Sequence, residues 1–195
     1  MRGRQGRLLG HSVLLHDVTH SVELLRQVER LVTTDPQTEL LTRRAFLELG
    51  ERELTRARRQ GFPIWLVLID LDAFAMVKDL YGGEVGDQVL RAVASACRRL
   101  LRAFDVIGRY GGTQFVMLLP QLTREEAIDV SERLRQAVQG LTVWKDDQLI
   151  SLTVTVGVAG SERAEAECLN DLLASAERAL KAARRHGRNR VECNP

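Results

Sequence analysis

The stretch FDVIGRYGGTQFVMLLP (104–120) decides the fold of this chain. Its two apolar segments flank a Gly-Gly pair, a pattern that predicts two antiparallel strands joined by a tight turn. Gly111 and Gly112 would let a ligand approach the backbone closely. Thr113 and Gln114, which follow them, carry no charge. The stretch therefore predicts a binding hairpin and leaves open whether the hairpin performs chemistry.

Upstream lies a nearly continuous apolar run, FPIWLVLIDL (62–71), which is typical of a strand buried on both faces. Asp70 and Asp72 place two carboxylates at the C-terminal edge of this strand. Carboxylate oxygens suit Mg²⁺, and glycines in a neighbouring turn allow phosphates to reach backbone N–H groups. Two interpretations of these residues have about equal support: a site for a nucleotide and a metal ion, or two exposed aspartates in a turn that bind no ligand.

The rest of the chain alternates helical and strand patterns. A second hairpin is expected over 141–159, turning at Asp146-Asp147, and Thr123 with Glu126 forms the pattern of a capping box. Helices are predicted over about 42–60, over a short stretch that ends near residue 80, and over 84–101, 123–138 and 167–187. Gly187 is expected to cap the last helix, and a short strand is expected to follow it. Together these patterns predict an α/β fold with a mixed central sheet flanked by helices.

Composition excludes several classes of protein. The 195 residues carry a net charge of +2, and no block of Lys and Arg with interleaved aromatics indicates nucleic-acid binding. The short basic clusters near 56–59 and 98–99 are interpreted as solvated helix faces. Three scattered cysteines favour neither a disulfide scaffold nor a cysteine zinc site. We expect a cytoplasmic protein, with any membrane segment or sensor outside this chain.

The N-terminal residues predict a separate segment. Residues 1–18 indicate a short strand fragment that cannot bury its own face. Residues 19–34 have apolar side chains at helical spacing, which fits a parallel coiled-coil homodimer, the favoured hypothesis, or a single docking helix. Thr34-Asp35-Pro36 is expected to end that helix.

Four motifs occur in the order found in the GGDEF domain, the diguanylate cyclase fold of bacterial cyclic-di-GMP signalling. They are DPQTELLTRRAF (35–46), DLDAFAMVKDLYGGEVGDQVL (70–90), RYGGTQF (109–115) and AERALKAARRHGRNRV (176–191). The chain thus resembles that family, which implies an adenylyl-cyclase-like fold over 35–195 whose signature hairpin is degenerate. Residues 1–18 resemble the last strand of a PAS sensor, and residues 19–34 resemble a signalling helix.

The resemblance implies a metal site that is weakened here. In the family two carboxylates hold two Mg²⁺ ions, and the corresponding positions are Asp70, assisted by the backbone carbonyl of Leu71, and Thr113. The residue implicated in activating the 3′-hydroxyl is Gln114. Metal-assisted phosphoryl transfer draws several kcal/mol from such charges, and each loss of about 1.4 kcal/mol is roughly tenfold in rate. We expect little cyclase activity.

The resemblance also implies residues that contact the nucleotide. Asp87 matches a guanine contact, whereas Lys78 replaces the guanine-binding asparagine. Arg184 replaces a phosphate-binding lysine, and Arg188 matches the family residue. Weak GTP binding, accompanied by Mg²⁺, is the expected consequence.

RAFD (102–105) lies where the family has its R-x-x-D inhibitory site for cyclic-di-GMP. An Arg102 guanidinium can reach guanine O6 and N7, Asp105 can accept from the guanine edge, and Arg133 matches a second arginine. The alternative for Arg102 and Asp105 is a surface ion pair at a helix end.

Three functions follow from these residues and the resemblance. The favoured one is a catalytically impaired regulatory module that binds cyclic-di-GMP or GTP. The second is an active diguanylate cyclase that uses Asp70, Asp72 and a substitute ligand. The third is a ligand-free interaction module that dimerises through residues 19–34.

Overall fold

The computed structural model describes residues 33–162 and 168–194. The predictions for residues 1–18 and for nearly all of 19–34 therefore fall outside the described residues. The helices are α1 (Arg43–Gln60), α2 (Phe74–Tyr81), α3 (Gly83–Leu100), α4 (Arg124–Gln139) and α5 (Leu169–Arg185). The strands are β1 (Ile64–Leu71), β2 (Val106–Arg109), β3 (Gln114–Pro120), β4 (Val143–Lys145), β5 (Gln148–Ile150), β6 (Val154–Ser161) and β7 (Val191–Asn194).

Local capping explains where two of the helices begin and end. The Thr42 side chain accepts a hydrogen bond from the N–H of Ala45 at the start of α1, and Gly61 ends that helix with φ 69°. At the start of α4, Thr123 Oγ1 accepts from the N–H of Glu126, and the Glu126 carboxylate accepts from the N–H of Thr123 at 2.8 Å. The predicted capping box is therefore confirmed.

Five strands form the central sheet in the order β2-β3-β1-β6-β7. The pairs β2–β3, β3–β1 and β1–β6 are antiparallel, and β6–β7 is parallel. This arrangement confirms the prediction of a mixed sheet. Strand β1 lies at its centre, and every residue of β1 is buried.

The side chains of β1 alternate between two cores, as the twofold period of a strand requires. Trp65, Val67 and Ile69 join the core beneath α2, α3 and α4. Ile64, Leu66 and Leu68 join the core beneath α1 and α5. The helices therefore cover both faces of the sheet, which explains why the apolar run of β1 is continuous.

The prediction of one hairpin over 141–159 is wrong in its second arm. The turn at Asp146-Asp147 is confirmed, since both residues have positive φ between β4 and β5. However, β5 ends at Ile150, and the chain then enters the central sheet as β6 beside β1. The physical reason is burial: the first six residues of β6 are buried, whereas two of the three β5 residues are exposed.

Helix α5 lies unusually close to β6 at Gly157. A Cβ atom at this position would lie 2.3 Å from the carbonyl oxygen of Ala176 and 2.5 Å from the backbone nitrogen of Leu180. Only glycine permits this approach, which brings the middle of α5 close to the sheet. The same helix ends at Arg185, and its cap is His186 rather than the predicted Gly187, which follows with φ 117°.

Across residues 33–162 and 168–194, no helix combines the length and the apolar character that crossing a membrane requires.

Candidate functional site

The end of β1 and the signature hairpin meet at one edge of the sheet. Asp70 lies opposite Gln114 in the β1–β3 register, and the N–H of Leu71 donates to the carbonyl oxygen of Thr113 at 3.2 Å. The structure therefore brings together Asp70, Thr113 and Gln114, as the motifs predict.

Arg109 holds the turn of the hairpin. Its guanidinium donates to the carbonyl oxygens of Gly111 and Gly112, at 3.3 and 3.0 Å. A third nitrogen of the same group donates to the carboxylate of Asp35 at 3.1 Å, in an ion pair whose side chains are only 16% and 20% exposed. The backbone N–H groups of Tyr110 and Gly111 both donate to the carbonyl oxygen of Gln114. The turn is thus fixed by backbone bonds and one arginine.

The Asp35 carboxyl is stabilised in its charged form. Burial raises its pKa, but hydrogen bonds from the Thr38 hydroxyl (2.7 Å) and the Thr38 N–H (2.9 Å), together with the hydrogen bond and charge of Arg109, outweigh that effect. The net result is a pKa below the ordinary value of 3.8. Asp35 therefore anchors Arg109 as a carboxylate.

Both oxygens of the Asp70 carboxylate have partners within the chain. The Thr113 hydroxyl donates to Oδ1 at 2.6 Å. The guanidinium of Arg184, from the last turn of α5, forms an ion pair with Oδ2. Asp70 is only 8% exposed, so these two groups supply nearly all of its solvation.

The second aspartate at the end of β1 has a structural role. Asp72 accepts hydrogen bonds from the hydroxyls of Thr153 and Thr155, at 2.8 and 2.7 Å, and from the N–H of Asn189 at 3.2 Å. These bonds join β1 to β6 and to the loop that follows α5. Both oxygens of the Asp72 carboxylate therefore already accept hydrogen bonds from other parts of the chain.

The residues present do not fit a pair of Mg²⁺ ions. Thr113 and Gln114 offer neutral oxygens, and the oxygens of Asp70 and Asp72 already accept from protein donors. No group of three or more His, Cys, Asp or Glu side chains suited to a metal occurs in the described ranges. The Leu71 carbonyl alone could not replace the missing charge.

Of the four predicted nucleotide contacts, Arg184 lies in the last turn of α5 beside Asp70, and the other three lie on α2, on α3 and after α5. The stem of Lys78 lies against α3, since a Cβ atom at Gly86 would come within 2.9 Å of its Cγ. Lys78 is exposed, and Asp87, the residue after Gly86, is partly exposed. Arg188 is exposed at the loop that follows α5, with φ 56°. Their roles in nucleotide binding stay predictions.

Arg102 and Asp105 form a tight turn between α3 and β2. Asp105 Oδ2 accepts from the N–H of Arg102 at 2.7 Å, whereas Oδ1 is buried and has no hydrogen-bond partner in the described part of the chain. Burial raises the pKa of the Asp105 carboxyl above 3.8, and the hydrogen bond and charge of Arg102 offset this only in part. The Arg102 guanidinium lies 6.0 Å from the centre of the Phe104 ring. The turn therefore contains one unsatisfied acceptor beside an exposed arginine.

Asp105 also lines a cavity of about 420 Å³, with Arg56 of α1 and Arg98 of α3 in its wall. Arg98 donates to the carbonyl oxygens of Thr38 and Glu39, so it holds the loop before α1. Arg98 and Arg99 are both exposed, as the prediction of a solvated helix face requires, and Arg98 in addition holds this loop. No sequence pattern indicates that Arg56, Arg98 and Asp105 line one cavity, because they lie far apart along the chain.

Arg133 is exposed on α4 and makes no hydrogen bond or ion pair within the described residues. No contact in this part of the chain joins it to Arg102 or Asp105. Its place in an inhibitory site stays a prediction.

Comparison with known proteins agrees with the fold and the motifs. The family model described as "Diguanylate cyclase, GGDEF domain" matches residues 32–190. The diguanylate cyclase DgcP of Pseudomonas aeruginosa is 36% identical over 159 residues, which cover 82% of this chain and 23% of DgcP. The diguanylate cyclase DgcM of Escherichia coli is 34% identical over 178 residues, covering 91% of this chain and 42% of DgcM. The chain therefore spans less than half the length of these curated relatives.

Solved structures give the same result. The coiled coil and GGDEF domain of DgcB from Caulobacter crescentus, in complex with c-di-GMP, superposes with a TM-score of 0.84 at 32% identity and covers 90% of this chain and 93% of that one. The diguanylate cyclase SiaD of P. aeruginosa, in complex with its activator SiaC, gives a TM-score of 0.79 at 34% identity, covering 89% of this chain and 66% of that one. With the ordered motifs and the α/β sheet, these matches show that the chain belongs to the GGDEF family of cyclic-di-GMP signalling.

Proposed function

We propose that this GGDEF domain is a regulatory module that binds a guanine nucleotide and has little diguanylate cyclase activity of its own. The observation that carries the proposal is the state of Asp70. Its two oxygens accept from Thr113 and Arg184, and no second carboxylate lies at the neutral positions 113 and 114.

The expected loss of activity follows from the charges. Metal ions that hold a triphosphate stabilise the transition state by several kcal/mol. A loss of about 4 kcal/mol corresponds to roughly a thousandfold in rate. Gln114 also has no carboxylate with which to accept a proton from a hydroxyl nucleophile. Efficient joining of two GTP molecules is therefore not expected.

Cyclic-di-GMP is the ligand that the Arg102–Asp105 turn suits best. The exposed Arg102 guanidinium can donate to guanine O6 and N7 or to phosphate. Asp105 Oδ1 is buried and has no partner among the described residues, so it can accept from guanine N1–H or N2–H₂ once the carboxyl group turns outward. The solved relative DgcB contains c-di-GMP. GTP, held by Asp87 and Arg188 and accompanied by Mg²⁺, is the weaker candidate ligand.

Isothermal titration with cyclic-di-GMP tests the proposal. We expect micromolar binding to the native chain and at least about tenfold weaker binding to the Arg102→Ala and Asp105→Asn variants, since each loses a charged contact. Arg91→Ala is a matched control, because Arg91 is exposed on α3 and makes no hydrogen bond or ion pair among the described residues. Absence of micromolar binding, or equal effects of Arg102→Ala and Arg91→Ala, would overturn the receptor assignment.

An active diguanylate cyclase is the second candidate, because relatives 34–36% identical to this chain carry that name. Incubating the purified chain with GTP and Mg²⁺ or Mn²⁺, and separating the products, distinguishes the two. Cyclic-di-GMP production at many turnovers per enzyme would overturn our interpretation of Thr113 and Gln114. Absence of product, together with binding of cyclic-di-GMP, would support the regulatory function.

A further inference from the structure

The contact between Arg184 and Asp70 joins two elements at the site where the family resemblance places a metal. Asp70 is the penultimate residue of the central strand β1, and Arg184 belongs to the last turn of α5. The ion pair forms on Oδ2, whereas the Thr113 hydroxyl occupies Oδ1. The side chain of Asp70 is 11% exposed and that of Arg184 is 40% exposed.

We infer that the Arg184 guanidinium serves as a tethered cation that takes the place of a divalent metal at Asp70. A carboxylate this deeply buried needs a positive partner or strong donors, because leaving water is otherwise costly. A guanidinium supplies a permanent positive charge and several directed N–H donors. With one hydroxyl on the other oxygen, the carboxylate is satisfied without any added ion.

A divalent ion would have to displace this partner. The ion and the guanidinium would then be two neighbouring positive charges at a site with a single carboxylate, and neighbouring like charges repel each other. Asp72 cannot supply the missing charge, since its oxygens accept from Thr153, Thr155 and Asn189. Restoring an acidic residue at position 113 is therefore insufficient to restore tight metal binding while Arg184 remains.

The inference rests on the proposed function, because the low cyclase activity proposed there uses the same contact between Arg184 and Asp70. The nucleotide-binding part of that proposal is tested separately. Arg102 and Asp105 precede β2, whereas Asp70 and Arg184 lie at the ends of β1 and α5. A titration with Mn²⁺ alone reports on Asp70, and a titration with cyclic-di-GMP reports on Asp105.

The experiment is a calorimetric titration of the full chain with Mn²⁺ as the probe. Four proteins are compared: the native chain, Thr113→Asp, Arg184→Met and the double variant with both changes. We expect no measurable binding to the native chain, weak binding to Thr113→Asp, and binding to the double variant at least about tenfold tighter than to Thr113→Asp, since one charge–charge coupling of this kind is worth about one pKa unit or more.

Arg185→Met in the Thr113→Asp background is the matched control. Arg185 is the exposed neighbour in the same helical turn and makes no ion pair among the described residues, so its removal should leave Mn²⁺ affinity unchanged. Equal affinity of Thr113→Asp and the double variant would overturn the inference, as would an equal gain from Arg185→Met. Circular dichroism checks folding, and Arg184→Gln replaces Arg184→Met in the same comparison if the latter does not fold.

Discussion

Asp105 is expected to destabilise the ligand-free domain at neutral pH. One carboxylate oxygen accepts from the N–H of Arg102, and the other is buried with no hydrogen-bond partner in the described ranges. Burial raises the pKa of this carboxyl despite the hydrogen bond and charge of Arg102. The charged form that exists at pH 7 therefore costs the folded state free energy.

The size of this cost follows from the single unsatisfied oxygen. A buried polar group without a partner costs about 1–3 kcal/mol. Asp105 as a whole is only partly buried, so we expect about half of that, or about 0.5–1.5 kcal/mol, after allowance for solvent screening. Asn caps a turn about as well as Asp. Asp105→Asn removes the buried charge but leaves a neutral amide NH₂ where Oδ1 lay, so it should raise the free energy of unfolding at pH 7 by no more than that amount.

The gain should depend on pH. Because the folded pKa of Asp105 lies above the unfolded value of 3.8, the folded state holds the proton more tightly. The penalty is fully present above the folded pKa and disappears as the pH falls below 3.8. The difference in unfolding free energy between native chain and variant should therefore shrink towards zero near pH 3.5 or so.

Urea unfolding followed by tryptophan fluorescence measures this effect. Trp65 is 2% exposed, and its indole N–H donates to the carbonyl oxygen of Leu122, so its emission reports on the core. Asp129→Asn is the control, since Asp129 is exposed on α4 and makes no hydrogen bond or ion pair among the described residues. A less stable Asp105→Asn variant at pH 7, or a gain of the same size at both pH values, would refute the reasoning.

Three further predictions use the same unfolding assay. Gly157→Ala should lower the free energy of unfolding by about 3 kcal/mol, because the new methyl meets the backbone of α5; a loss below about 1 kcal/mol would contradict that close approach. Thr123→Ala should cost about 1 kcal/mol through loss of the helix cap, and an unchanged midpoint would contradict that role. Asp35→Asn should cost about 1–2 kcal/mol at pH 7 by weakening the pair with Arg109. Since the folded pKa of Asp35 is lowered, its stabilisation is present above 3.8 and is lost as the pH falls through the lowered folded pKa, so a pH-independent difference would argue against it.

Features that depend on neighbouring residues could be predicted from the sequence. The apolar run of β1 predicts a strand buried on both faces, and the structure buries all eight of its residues. The pairing of Thr123 with Glu126 predicts the start of α4 within one residue. In each case the physical cause lies within a few positions along the chain, where spacing and side-chain type specify it.

The partners of the site carboxylates could not be predicted in this way. Asp72 bonds to residues 81, 83 and 117 positions away, and Arg109 bonds to Asp35 across 74 positions. An apolar pattern shows that a strand is buried, but it does not show which donors a distant element places beside its end. The same limit explains why the predicted second strand of the 141–159 hairpin is wrong. The residues of β6 pair with β1, a distant strand, and not with β4.

The shape of the signature hairpin does not depend on acidic residues at positions 113 and 114. Arg109, its ion pair with Asp35 and the backbone bonds to the carbonyl oxygen of Gln114 fix the turn whatever residue stands at position 113. An acidic side chain at that position would add a like charge beside Asp70, which the fold would tolerate only with a cation between them. Thr113 removes that repulsion and donates to Asp70, and Arg184 supplies the positive charge. A neutral residue at position 113 therefore avoids a like-charge repulsion beside Asp70, and the weak metal binding that we propose for this site carries no cost in folding stability.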